Sequence, residues 1–249
     1  MSVVATVLRS GAVRAQECWQ PSALSPPGDQ IASNSFTSLA GVDGAVGYVP
    51  PFRVGTRNRL TPSVSASVRL APFELQASWG WVVDASEAGG VVHGPGDLRL
   101  GTVVTLAHFS EFDVTAGWEV KLPNASDEGE IGTDETDVSF GATAGWRRGP
   151  VSARLGVGLA VLGNPLRFAN QDDVAMVRGS VAWTSGFVRV IGRASADLPT
   201  PRNPVRSEGD IALQLGTRWF GLVHAGGGFV PASADWHAGL AVGFASALP

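Results

Sequence analysis

Glu111-Phe112-Asp113-Val114-Thr115-Ala116-Gly117-Trp118-Glu119-Val120-Lys121-Leu122 is the stretch on which the fold turns. Phe112, Val114, Ala116, Trp118, Val120 and Leu122 alternate with Glu111, Asp113, Thr115, Gly117, Glu119 and Lys121. Successive side chains of a strand point to opposite faces, so this segment has one apolar wall and one polar wall.

The same period-two split recurs outward in both directions, and no segment shows a convincing helical period. Val64, Ala66, Val68 and Leu70 oppose Ser63, Ser65, Ser67 and Arg69. Val138, Phe140, Ala142 and Ala144 oppose Asp137, Ser139, Gly141 and Thr143. Strands are expected near 60–70, 73–83, 97–107, 111–122, 136–147, 151–162, 173–184, 187–198, 210–219, 222–230 and 236–246. Each is about ten residues, the length that crosses a bilayer at a barrel's tilt. Short turns at Ala71-Pro72, Phe109-Ser110, Arg148-Gly149-Pro150, Ser185-Gly186 and Phe220-Gly221 alternate with longer polar segments at 84–95, 123–135, 163–172 and 199–209. Closed up-and-down barrels with tight turns at one end and longer loops at the other alternate in this way. An even strand number then requires one more strand at the start, which 41–54 supplies. The expectation is an all-β, transmembrane, antiparallel up-and-down β-barrel of about twelve strands over 41–249, in the outer membrane of a Gram-negative bacterium.

Composition agrees. Charged residues are 16% and hydrophobic residues 44% of 249; a soluble domain usually carries about 25% charge. No run of about 18 apolar residues is present, so no transmembrane helix is expected. The competing reading is a soluble sandwich with its apolar faces inward. It is disfavoured by apolar faces almost free of charge and by polar faces rich in Gly and Ser. A net charge of −4 disfavours nucleic acid as a partner. Residues 1–15 read as the end of a secretory signal, with Val13-Arg14-Ala15 before the cut. Residues 16–40 read as a periplasmic tail or a small plug. Cys18 follows Glu17, so a lipid anchor is not expected.

On this scheme the tryptophans form two belts, because the indole prefers the headgroup zone. Trp146, Trp183 and Trp219 fall at the short-turn boundary; Trp79, Trp81, Trp118 and Trp236 fall toward the other. The candidate interior residues are Arg69, Glu74, Arg99, Glu119, Lys121, Arg147, Arg154, Arg178, Arg193, Arg218, His224 and His237. Arg189, Asp97, Glu111, Asp113, Asp137 and Asp197 share that face. Mixed charge inside a narrow barrel either plugs it or lines a polar path.

Chemistry is sparse. A lipid-modifying barrel enzyme would need a serine or acid near a histidine. His224 is followed by Ala225-Gly226-Gly227-Gly228 and His237 by Ala238-Gly239, and His93 and His108 fall near connections. No catalytic residue and no cofactor are expected. The acidic run Asn124–Asp137 lacks EF-hand spacing and reads as a solvated external loop rather than a Ca²⁺ site. No metal ligand set is assigned.

Gly94-Pro95-Gly96-Asp97-Leu98-Arg99-Leu100-Gly101 opens a strand, Trp118-Glu119-Val120-Lys121-Leu122-Pro123 closes one, and Gly132-Thr133-Asp134-Glu135-Thr136-Asp137 leads into the next. This order resembles the outer-membrane β-barrel family named for the MetA pathway of phenol degradation, over roughly 94–147. The family pattern has a Gly-Asp strand start, a Lys-Leu-Pro strand end and a Gly-rich loop. The loop here is more acidic, and the chain closes on Pro249 with Phe244 as its nearest aromatic. The resemblance implies a barrel that admits small molecules, hydrophobic or aromatic ones among them, with no catalytic residues. It also implies outer-membrane lipid and lipopolysaccharide as surroundings and the barrel-assembly machinery as a partner.

Overall fold

The computed structural model describes residues 35–47, 57–86, 90–124, 136–162, 172–198, 206–230 and 236–247. Among these lie thirteen strands: β1 Ser35–Gly47, β2 Arg57–Leu70, β3 Phe73–Ser86, β4 Gly90–Pro95, β5 Leu98–Phe109, β6 Phe112–Leu122, β7 Asp137–Arg148, β8 Val151–Leu162, β9 Asp172–Ser185, β10 Val188–Asp197, β11 Arg206–Gly216, β12 Trp219–Gly228 and β13 Trp236–Ala247. All belong to one sheet, and consecutive strands other than β4 and β5 pair antiparallel. β1 pairs with both β2 and β13, which closes the ring. The lower half of β3 pairs with β5 and its upper half with β4. β4 and β5 are therefore one stave broken at Gly96-Asp97, and thirteen strands make twelve staves. Closure gives every stave two neighbours and removes the sheet's open edges.

The two-residue connections between staves gather at one end, together with the start of β1 and the end of β13, where Ser35 pairs with both Ala247 and Arg69. Gly149 and Gly186 occupy two-residue turns with φ of +56° and +57°. A residue without Cβ is favoured there because a tight hairpin needs a left-handed backbone.

Across the middle of the described strands the outer surface is largely apolar. Leu155, Val157, Val181, Ile211, Val223, Leu240 and Val242 are exposed, while their strand neighbours on the other face are buried or half-buried. In water such a surface would cost on the order of 1.5–3 kcal/mol for each large side chain; in a bilayer the same atoms stay out of water. Phe73, Phe112, Trp183 and Trp219 are exposed beside the short turns. Trp236 opens β13 at the other end, and Trp79 and Trp118 stand near the middle of β3 and β6. Trp81 stacks on His93 across the β3–β4 hairpin, with centroids 6.3 Å apart.

Three boundaries differ from the sequence expectation. The first strand is Ser35–Gly47 rather than 41–54, so residues 35–40 belong to the wall. Within segment 84–95, residues 84–86 and 90–95 are strand and not loop, because the end of β3 pairs with β4; its Gly and Pro content hid the alternation. The last tight turn is Thr217-Arg218, not Phe220-Gly221. Gly216, with φ of +102°, ends β11 early, and an added Cβ there would lie 2.1 Å from the Trp219 carbonyl oxygen. The expected signal at 1–15, the tail up to residue 34 and the acidic run from 125 to 135 lie outside the described residues.

Candidate functional site

Directly paired residues of neighbouring strands share a face, so the register lets a row be followed around the inner wall. One such row runs Asp113, Gly145, Arg154, Ser180, Arg193, Asp210, Gly226, His237, Ala45, Arg59, Asp84. Strands in a barrel are tilted and staggered, so a row perpendicular to them climbs. It starts near the short turn at the foot of β6 and ends near the top of β3. Acidic and basic side chains are interspersed along it and pair along the way. Arg154 Nη2 lies 3.8 Å from Asp113 Oδ2. Arg193 grips Asp210, with Nε donating to Oδ1 at 2.6 Å and Nη2 donating to Oδ2. Arg59 Nη2 donates to Asp84 Oδ2 at 2.8 Å.

Two glycines make the row possible. Asp113 reaches Arg154 across β7 because Gly145 leaves the space; a Cβ there would meet Asp113 Oδ1 at 2.3 Å. Gly226 does the same for Asp210 and β13, since its Cβ would lie 2.5 Å from that of Asp210.

A second cluster sits at the long-connection end of β5–β7. Lys121 Nζ lies 2.5 Å from Asp137 Oδ2 and 3.8 Å from Asp97 Oδ2, and the lysine side chain is 1% exposed. Arg99 pairs with Glu119 at 3.1 Å just below. Nearer the short turns Arg69 pairs with Glu74, which also accepts from Gln76 Nε2. Arg178 is buried and donates to the Met176 sulfur at 3.4 Å. Arg147 is half-buried at the foot of β7. The structure places one candidate elsewhere: Arg218 is exposed in the last turn, its guanidinium 5.4 Å from the Phe244 ring centroid. The early end of β11 takes it off the wall.

The same shift puts Phe220 inside. It is 2% exposed, and its ring fills the space a Cβ on Gly243 would need. Beside it, Ala182, Ile191, Ala212, Leu222 and Ala241 form an apolar inner strip on β9–β13. Above that strip Asp210 meets both histidines. Its Oδ2 lies 3.5 Å from His224 Nδ1 and 3.9 Å from His237 Nε2, and the two imidazole centroids are 6.0 Å apart. Each histidine was legible as inward-facing. Their meeting with Asp210 was not, because Asp210 had no local signal beyond its parity. Arg59 and Asp84 were missed because they lie where a loop and a strand end were expected.

The chain resembles solved outer-membrane barrels in fold. The COG4313 outer membrane channel from Pseudomonas putida F1 superposes with a TM-score of 0.68 at 11% identity, covering 88% of this chain and 99% of that one. The NanC porin gives 0.57 at 9% identity, covering 86% and 100%. The KdgM porin gives 0.53 at 12%, covering 84% and 98%. The fold is that of an outer-membrane β-barrel. The sequence matches no protein-family model and no curated protein.

Proposed function

We propose that the chain is a passive channel of the Gram-negative outer membrane for small solutes, with no catalytic role. The observation that carries this reading is how the inner charges pair. The ion pairs named above join strands no more than two places apart around a twelve-stave ring. Charges held along the wall leave the axis of the barrel to solute, whereas a plug needs partners that meet across it. Arg147, Arg154 and Arg189 lie within range of one another's charge and favour anions at the short-turn end. The apolar strip around Ile191 and Leu222 gives the path a second character, suited to hydrophobic or aromatic solutes. This agrees with the family resemblance over 94–147 and with the channel neighbours. Outer-membrane lipid, lipopolysaccharide and the barrel-assembly machinery are the partners this reading expects.

A closed scaffold is the second reading. It draws on the burial of Phe220 and Leu222, which put apolar bulk inside the barrel near the short turns. Liposome swelling separates the two. Proteoliposomes should swell in small sugars and small aromatic acids at rates that rise with protein content. No swelling from well-folded protein favours the scaffold, and replacing Arg147, Arg154 and Arg178 by Ala should then open a flux the native barrel lacks.

A further inference from the structure

We propose that Asp210, His224 and His237 form a binding site for one divalent transition-metal ion of the zinc class on the inner wall. The three come from adjacent strands, β11, β12 and β13. Asp210 and His237 stand on one row, separated by Gly226, and His224 stands one inward position below Gly226 on β12. One ligand atom from each residue can be chosen so that all lie within 4.8 Å of one another. A four-coordinate ion with bonds of about 2.0–2.1 Å needs ligand atoms about 3.3 Å apart. Oδ2 to Nδ1 is already 3.5 Å and Oδ2 to Nε2 is 3.9 Å, so small rotations of the imidazoles complete the set on a fixed sheet.

The donor set selects the ion. Two imidazole nitrogens and one carboxylate suit Zn²⁺, Co²⁺ or Ni²⁺, whereas Ca²⁺ and Mg²⁺ require mostly oxygen. Three protein ligands leave a further position for water. Arg193 holds the carboxylate in place through both oxygens, as outer partners of metal ligands do, and Oδ2 keeps a second lone pair for the ion. Glycine supplies the room, because Gly226 and Gly239 are the inward neighbours of the two imidazoles in register. A bound ion adds two positive charges to the climbing row and would lower the passage of cations.

The test uses tag-free, refolded barrel in detergent, titrated with Co²⁺ and then Zn²⁺. Binding is followed by the visible absorption of Co²⁺ and by equilibrium dialysis. One ion per chain is expected, with Zn²⁺ displacing Co²⁺. His224→Ala and His237→Ala should each weaken binding by at least about tenfold, and His93→Ala/His108→Ala should leave it unchanged. Heat-modifiable migration confirms folding, and His224→Gln and His237→Gln replace any Ala variant that fails it. Absence of saturable binding overturns the site, as does binding that survives loss of both inner histidines. The measurement involves no flux. A barrel that binds the ion but carries no solute removes the channel reading and leaves the site standing.

Discussion

The two inner ionic clusters are built from similar parts and differ in how far they are shut. Lys121 with Asp97 and Asp137 is sealed, with side chains 1%, 2% and 6% exposed. Arg193 with Asp210, His224 and His237 stays open, its histidines 14% and 20% exposed and its arginine 22%. A sealed triad ties three neighbouring staves together and leaves little access to solvent. An open one can trade partners. Charge inside a barrel is not one property: its burial decides whether it acts as a staple or as a site.

The sharpest way to break this contrast is Lys121→Met. It removes the lysine charge from between two buried carboxylates and should destabilise the barrel by about 3–5 kcal/mol, read as a lower urea midpoint in detergent. Asp210→Asn strikes the open cluster. Its arginine can still reach water, so the loss should be smaller, about 1–2 kcal/mol, while the ion selectivity of the conductance shifts toward anions. Gly145→Ala pushes a methyl group into Asp113. It should separate Asp113 from Arg154 at a cost of about 1–3 kcal/mol, and Asp113→Ala in the same chain should recover most of that. The smallest effect is expected from His224→Ala, within about 0.5 kcal/mol in the absence of metal. If it rivals Lys121→Met, the two clusters do not differ as described.

Most of the wall was legible in sequence because alternation is a local property. Phe112 to Leu122 and Val138 to Trp146 declare their faces residue by residue. The clusters depend on register, which links residues far apart in the chain. Asp113 and Arg154 are 41 positions apart, yet they meet because of the stagger of β6, β7 and β8 and the glycine between them. Arg218 was misplaced by a single local feature, the positive φ of Gly216. With the turn at Thr217-Arg218, Phe220 is a strand residue of β12 and shares the inward parity of Leu222 and His224.

Single-channel recording in planar bilayers asks whether the barrel holds a conducting path along its axis. Folded native barrel should give discrete current steps, with anions preferred, and the preference should weaken when Arg147 and Arg154 are replaced by Gln. Silent bilayers from barrel that migrates as folded, and that also fails to swell liposomes, would contradict a path along the axis.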